Sequence, residues 1–289
     1  MRLPLLSLLI CCVFGGTTPL ALYAQAPAIP AGEAHFAIMT ANDGKNVGSS
    51  EYSVTATGGG YEIASQGDMK MGSFSYSFIN HNRLDSQLNI VRDELSGTVK
   101  GANVAFSLAS DSSGRQFLVN ITANGKTTQN NFDRHQRAVF LPDLDPAAYV
   151  EMAHFAVLHP PTAWVVIPKE NGLLVPVDYD PQPDASGKFH GQPITIHHTS
   201  VIVSGQNAIS VELYYTSEGN LLEADLPEQN FNVVRDDFRL DNRPHYTPPR
   251  GSAPPQGQQQ YPQQQSAPQQ PPQYSVPPGT QPQALLQSY

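Results

Sequence analysis

Cysteine is almost absent from this chain of 289 residues, which contains only Cys11 and Cys12. Both lie within the first 26 residues, which we predict to be a leader that is removed. The mature chain would then form no disulfide, no thiolate zinc site and no cysteine nucleophile. Its fold must therefore depend on an apolar core alone.

Basic residues are also scarce, with 16 Lys and Arg against 25 Asp and Glu and a net charge of −9. Such an acidic balance opposes binding to nucleic acid or to anionic membranes through bulk charge, so we expect no nucleic-acid partner. After the first 26 residues, no apolar run reaches the roughly 18 residues that a spanning helix needs. We therefore expect no transmembrane span in the mature chain.

The first residues, MRLPLLSLLICCVFGGTTPLALYAQA, have the composition of a secretory signal peptide. Arg2 precedes an apolar run from Leu5 to Phe14, and Ala24-Gln25-Ala26 is a small-x-small cleavage pattern. We predict a signal peptide over 1–26, a linker over 27–33, and a periplasmic or secreted protein. An uncleaved anchor is the alternative, whereas the large Ile10 disfavours a lipidated cysteine.

The end of the sequence consists mainly of proline and glutamine. No charged residue follows Arg250, and 14 of the 18 residues from Gln256 to Gln273 are Gln or Pro. Such a segment has too little apolar surface to offset the entropy lost on ordering. We predict a disordered tail over 242–289.

Between these ends, short runs rich in Val, Ile, Thr, Tyr and Phe are separated by Gly- and Asn-containing turns such as ANGK and SEGN. This spacing indicates an antiparallel β domain over 34–241. In the run ISVELYY, Val211, Leu213 and Tyr215 share one face, opposite Glu212. The later residues Glu223 and Asp225 also alternate with apolar ones, so we expect one face of the sheet to be buried and the other wet.

One segment breaks the period-2 pattern. DLDPAAYVEMAHFAVLHPP places an N-cap at Asp145, a proline in the first turn and a stop at His159. The predicted helix, near 145–158, is apolar almost all round, so a curved sheet must surround it. We expect a curved antiparallel sheet or half-open barrel wrapped around one buried helix, with Glu151 at the helix's solvent-facing edge.

Aromatic residues supply the candidate binding surface. Phe74, Tyr76 and Phe78 alternate along one strand, and Phe106 and Phe155 add to them. If the barrel is half open, these five residues could line a pocket for an apolar or lipid-like ligand, or for an envelope component. The alternative is an ordinary core.

Catalytic and metal-binding patterns are weak in this sequence. Adjacent strand residues point to opposite faces, so His197 and His198 cannot both ligate one metal from one side. We assign no catalytic residue, no metal and no cofactor, and we lean against an enzyme without excluding one. The alternative is an envelope hydrolase with paired carboxylates, drawn from Asp178, Asp180, Asp236 and Asp237.

The stretch VELYYTSEGNLLEADLPEQNFNVVRDDF resembles the closing motif of a group of uncharacterised exported bacterial proteins. The matching residues are Tyr214, Tyr215, Gly219, Leu221, Leu222, Pro227, Val234, Arg235 and Asp236. The resemblance covers roughly Ala34 to Leu240. It implies a distant relation to the LolA/LolB lipoprotein-carrier fold, a half-open antiparallel barrel closed by helix, and hence a binding or envelope-accessory role. It transfers no site residue.

We predict that the exported protein is cleaved after Ala26. N-terminal sequencing of protein recovered from outside the cytoplasm should begin at Pro27. Because proline is a poor residue after a cut, a start at Gln25 would be a near miss. Protein beginning at Met1, or a lipid on Cys11 or Cys12, would contradict the prediction.

Overall fold

A computed structural model describes residues 28–160, 162–170, 172–204 and 209–244. The predicted signal peptide lies outside these residues, as does the predicted tail from residue 245 onward. Within the described residues, no helix is long and apolar enough to cross a membrane.

The first half of the described chain is a meander of eight strands. These are β1 (Gly32–Thr40), β2 (Asn46–Thr57), β3 (Gly60–Met71), β4 (Phe74–Asp85), β5 (Ile90–Val99), β6 (Ala102–Ser110), β7 (Gln116–Ala123) and β8 (Lys126–Asp133). Tight turns join neighbouring strands. Asn124 and Gly125, between β7 and β8, both have positive φ (52° and 72°). A two-residue hairpin turn requires such angles to match the right-handed twist of its strands.

The second half contains the helix and eight more strands. These are β9 (Ala138–Phe140), α1 (Pro146–Leu158), β10 (Ala163–Ile167), β11 (Leu173–Phe189), β12 (Gln192–Val203), β13 (Ile209–Tyr215), β14 (Leu221–Leu226), β15 (Phe231–Arg235) and β16 (Phe238–Leu240). Together the described strands form one open, curved sheet of 16 strands. The predicted fold class, a curved sheet around one helix, is therefore confirmed.

The two halves join through β1, which pairs with β2 on one side and with β15 on the other. From β1 the sheet runs outward to β8 in one direction and through β14 to β9 in the other. The pairing is antiparallel except between β9 and β10, which are parallel. This exception to the predicted antiparallel sheet arises because α1 crosses over between these two strands.

Helix α1 lies within the main core, as expected. Asp145 caps its start by accepting a hydrogen bond from the Ala147 N–H (2.9 Å). His159, with φ 48°, ends it and donates its backbone N–H to the Phe155 carbonyl. Because the buried face of the sheet surrounds the helix, Phe155 is only 1% exposed.

Glu151 corrects one expectation. Glu151 is the acidic residue inside an apolar helix, so the sequence predicted that it faces solvent. The residue is only 2% exposed. Its carboxylate accepts a hydrogen bond from the Asn82 side chain of β4. The sheet therefore covers the side of the helix that was expected to face water.

The outer face of the C-terminal strands, which points away from the helix, is also buried. The sequence had predicted that this face is exposed to solvent. Strand β11 has a register shift between Gln182 and Ala185, and its far half pairs with both β12 and β16. Side chains from β12 and β16 then pack on the outer side of β13–β15, forming a second, smaller core of Ile196, Tyr214, Leu222, Val234, Phe238 and Leu240. All six residues of β14 are buried as a result.

We predict that Phe155→Ala destabilises the protein by about 3–5 kcal/mol, because it leaves a cavity between the helix and the sheet. Chemical denaturation followed by circular dichroism measures the change. Ile79→Ala is the matched control, since Ile79 is 48% exposed on β4, and its cost should stay below about 1 kcal/mol. A loss below about 1 kcal/mol for Phe155→Ala would make the helix peripheral.

Candidate functional site

The five aromatic residues that the sequence singles out all belong to the main core. Phe78, Phe106 and Phe155 are buried, whereas Phe74 and Tyr76 are only partly buried. The Tyr76 and Phe78 rings stack with their centroids 5.5 Å apart. These residues therefore share one apolar layer, but α1 occupies the concave face that they would line.

Clefts in the described part of the chain do not coincide with the predicted apolar pocket. The larger, of about 500 Å³, lies over β1–β3 and is lined by His35, Phe36, Ser49, Ser50, Glu51, Gln66, Gly67, Asp68, Phe78 and Asp236. Among the predicted binding residues it contacts only Phe78. The second, beside Tyr149, is about 10 Å³ and too small for a ligand.

The most unusual chemistry lies beneath α1, where polar side chains form a row on the inner face of the sheet. Ser65 of β3 is the register partner of Asn80 of β4, and Asn82 of β4 is the register partner of Asp93 of β5. All four are buried, and Asp93 is 0% exposed. We call these four residues, together with Asp145 and Glu151 of the helix segment, the buried acid cluster.

A β-bulge turns Asp93 toward the core. Arg83 pairs with Arg92, but the next residue, Leu84, pairs with Ile90, so Val91 has no partner on β4. The extra residue shifts the alternation along β5 by one position. Ile90 and Asp93 can therefore both face inward although they are three residues apart.

Hydrogen bonds join the helix segment to β4. The Asn80 side-chain amide donates to the Asp145 carboxylate (2.9 Å), and the Asn82 amide donates to the Glu151 carboxylate (2.5 Å). Asp145 also accepts the backbone N–H of Ala147 through its other oxygen. Two amides on alternate residues of one strand thus hold two acids of one helix segment.

The cluster has more acceptors than donors. Among the described residues, no hydrogen bond of normal geometry reaches either carboxylate oxygen of Asp93, the second oxygen of Glu151, or the amide oxygens of Asn80 and Asn82. A buried acceptor without a partner costs about 1–3 kcal/mol. A proton on each carboxyl turns one acceptor into a donor and reduces that cost.

Burial sets the charge state of these acids. Burial raises the pKa of Asp93 well above its usual range, and the nearby Glu151 and Asp145 raise it further, while the Asn80 amide offsets part of the shift. Burial and Asp145 likewise raise the pKa of Glu151, against the opposing hydrogen bond from Asn82. Burial raises the pKa of Asp145 too, although Ser65, Asn80 and the Ala147 N–H favour its ionised form.

A second acidic group lies on the outer side of β13–β15. Arg243 donates two hydrogen bonds to Glu223 (2.8 and 2.7 Å), which fixes the chain after β16 against β14. Beside this pair, burial and Glu223 raise the pKa of Asp225 well above its usual range, although Arg243 opposes the shift. The arrangement joins the end of the described chain to the sheet.

The two adjacent histidines considered as metal ligands, His197 and His198, contact different residues. His198 contacts Glu212 (2.8 Å) and stacks on Tyr214, whereas His197 contacts Asp184 (3.0 Å). Across the described residues, no three His, Cys, Asp or Glu side chains are grouped so that they could hold a metal ion.

The four acids considered for hydrolysis lie in two separate places in the described sheet. Asp178 and Asp180 are exposed near the start of β11, while Asp237 contacts His190 at the far end of that strand. The roughly nine strand residues between Asp180 and the end of β11 span about 30 Å. Paired catalytic carboxyls lie about 5–10 Å apart, so Asp180 and Asp237 do not form such a pair.

Sequence reasoning missed the buried acid cluster, apart from Asp145, which was predicted only as a helix cap. Two signals could have found it. Asn80 and Asn82 alternate on a strand whose other inward residues, Phe78 and Leu84, are apolar. Glu151 lies in a helix expected to be surrounded by sheet, and such an acid needs a buried partner.

Comparison with known proteins gives neither a family nor a characterised relative, since no family model matches and no curated protein matches. Three solved structures are similar over most of the chain. A β-barrel-like protein of a domain of unknown function (DUF1849) from Brucella abortus is 8% identical, with a TM-score of 0.49, covering 73% of this chain and 97% of that one.

The other two are more distant. A Bacteroides fragilis protein described as exported, with a YmcC-like fold, is 6% identical, with a TM-score of 0.25, covering 72% of this chain and 94% of that one. A Parabacteroides distasonis protein described as a lipoprotein is 10% identical, with a TM-score of 0.26. The match covers 73% of this chain and 97% of that one. None of these three is described as a LolA/LolB carrier, so that likeness stays a prediction.

We predict that Glu151→Gln makes stability less dependent on pH. The raised pKa of Glu151 means that the folded protein binds this proton more tightly than the unfolded chain. The proton's contribution is therefore complete below the unfolded pKa of about 4.3 and is lost as the pH rises toward the folded pKa. Glutamine keeps an oxygen for Asn82 but cannot ionise.

Urea denaturation at a series of pH values measures this effect. The variant should match the wild type near pH 4 and become increasingly more stable than it toward about pH 8. Glu62→Gln, on the exposed side of β3, is the control and should follow the wild-type curve. Parallel curves for Glu151→Gln and wild type would show that Glu151 is already ionised in the folded state.

Proposed function

We propose that this chain is an exported, non-enzymatic binding protein of the bacterial envelope that takes an apolar or lipid-like ligand on the concave face of its sheet. The observation that supports this most is the occupancy of that face. Its aromatic layer is covered by a single 13-residue helix joined to the sheet through polar hydrogen bonds. A ligand that replaces the helix would gain the same apolar surface.

The aromatic layer suggests how the ligand would lie. Phe74 and Tyr76, which are partly buried, would receive it at the rim, and Phe78 and Phe106 would contact it deeper in the concave face. Phe155 would contact it from the displaced helix. Apolar contacts of this kind give affinity roughly in proportion to the area removed from water, which suits a lipid-like chain.

The proposed location is the periplasm or the extracellular space. The predicted signal peptide and the net negative charge support it. The three similar structures include one described as exported and one described as a lipoprotein. The hydrolase alternative is not advanced, because the two places that hold its acids, near Asp180 and near Asp237, lie far apart on the sheet.

The proposal predicts that protein purified from its own host retains a bound lipid in native mass spectrometry. Phe74→Ser combined with Tyr76→Ser removes two rim contacts and should lower the lipid-bound fraction. Ile79→Ser, on the opposite face of the same strand, is the matched control and should leave it unchanged. Wild-type protein that carries no added mass, or equal lipid loss in both variants, would contradict the proposed site.

A further inference from the structure

Helix α1 is set off from the sheet at both ends. Leu144, just before it, and His159, just after it, both have left-handed backbone conformations, with φ of 62° and 48°. Prolines at 142 and 160 lie two residues before Leu144 and directly after His159. The segment between them is a single helix bounded by two sharp turns.

The hydrogen bonds that join this helix segment to β4 both involve acids. Asp145 and Glu151 accept from Asn80 and Asn82, and Asp93 lies in the sheet beneath them. Asp93 is fully buried and no hydrogen bond of normal geometry reaches it within the described chain. Three buried carboxyl groups therefore lie between one helix and the strands beneath it.

Within the described part of the chain, no basic side chain is among the main influences on these acids. The main influences on Asp93, Asp145 and Glu151 are the acids themselves, the exposed Glu94 of β5, Ser65, Asn80, Asn82 and the Ala147 N–H. If the three acids ionised while the helix was seated, they would repel one another in a buried region, where charges are screened less than in water. The uncharged cluster has no such repulsion.

Other titratable groups lie on or near the helix, and their effect on any pH dependence must be distinguished from that of the three acids. Tyr149 of α1, Tyr76 of β4, Tyr179 of β11 and Tyr215 of β13 all have pKa values raised by burial, so they stay neutral at neutral pH. Asp143 lies in the loop before the helix and acts on Tyr76 and Tyr149. His154 of α1 is buried against the β13–β14 turn at Gly219, on another side of the helix.

We propose that α1 is a proton-held lid. It stays seated on the concave face while Asp93, Asp145 and Glu151 hold their protons, and it withdraws when they release those protons to water. This inference adds regulation to the proposed function, since the ligand would enter the face that the lid uncovers. The movement itself does not require a ligand.

The direction of the effect follows from burial. The seated state raises the pKa of each acid, so it binds more protons than the withdrawn state, in which water reaches the acids. Rising pH therefore favours withdrawal. Each proton released shifts the equilibrium by up to about tenfold per pH unit between the two pKa values.

The lack of cysteine in the predicted mature chain makes a direct test simple. Ala153 of α1 is fully buried, and Ala153→Cys adds one small thiol that a maleimide can reach only when the helix leaves. Ser217→Cys places a thiol on an exposed turn. Its labelling rate gives the effect of thiol ionisation alone, by which the rate of Ala153→Cys is corrected. Leu222→Cys, in the second core, reports unfolding of the whole domain.

We expect the corrected labelling rate of Ala153→Cys to rise at least about tenfold between roughly pH 5 and pH 8. Leu222→Cys should stay protected over the same range. Adding Asp93→Asn and Glu151→Gln to Ala153→Cys should remove most of the rise, whereas adding His154→Gln should preserve it. A flat rate, an equal rise in Leu222→Cys, or a rise that survives neutralisation of the acids would overturn the lid.

Hydrogen exchange provides a second measurement if the doubly neutralised chain does not fold. In the unsubstituted protein, exchange of the α1 amides, corrected for its intrinsic pH dependence, should accelerate with pH while β14 stays protected. Exchange that accelerates equally in both elements would overturn the lid.

Native mass spectrometry separates failure of the lid from failure of the proposed function. A lipid-bound protein whose Ala153→Cys variant stays unlabelled near pH 8 would refute the lid and keep the binding role. A helix that opens near pH 8, in a protein that neither retains host lipid nor binds an added phospholipid at that pH, would refute the binding role and keep the lid.

Discussion

Burial of helix α1 on every side is the constraint on which the rest of the described fold depends. The helix presents apolar groups around almost its whole circumference, so packing against a flat layer would leave part of it in water. A long, curved sheet solves this problem, since its concave face can surround the helix. The same enclosure buries Glu151, and an enclosed acid needs polar partners on the strands.

The order of the strands shows how that enclosure is completed. Strand β1, near the start of the described chain, pairs with β15, almost at its end. This pairing joins the two meanders into one sheet. Contacts between residues so far apart in sequence carry a large loop-closure entropy and are typical of slow folding. The curved sheet around the helix therefore depends on a contact between the two ends of the described domain.

Local sequence patterns predicted the elements well because each depends on short-range rules. Glycine and asparagine mark the hairpin turns, and the cap at Asp145 marks the start of the helix within one residue. The patterns could not show what covers a second face. Glu223 and Asp225 alternate with apolar residues as solvent-facing acids do, yet β11, β12 and β16 supply a layer that buries them.

Asp93 was beyond sequence reasoning for a different reason. Alternation counted from Ile90 places Asp93 outside, and only the bulge at Val91 turns it inward. Such a bulge has no sequence signature here that separates it from regular strand. The acid cluster thus depends on one unpaired residue whose effect appears only when β4 and β5 are in register.

The buried acids are a poor means of stabilising this core, which bears on why they are present. Replacing a buried polar or ionic group by a well-packed apolar one is often neutral or stabilising. Leu84 and Leu95, on the same inner face, show that leucine fits this layer of β4 and β5. Asn82 and Asp93 instead bring unfilled acceptors beneath a helix that already has ample apolar contact. A cluster that costs stability, and whose acids hold protons more tightly when buried than in water, is suited to controlling the helix rather than to holding it permanently in place.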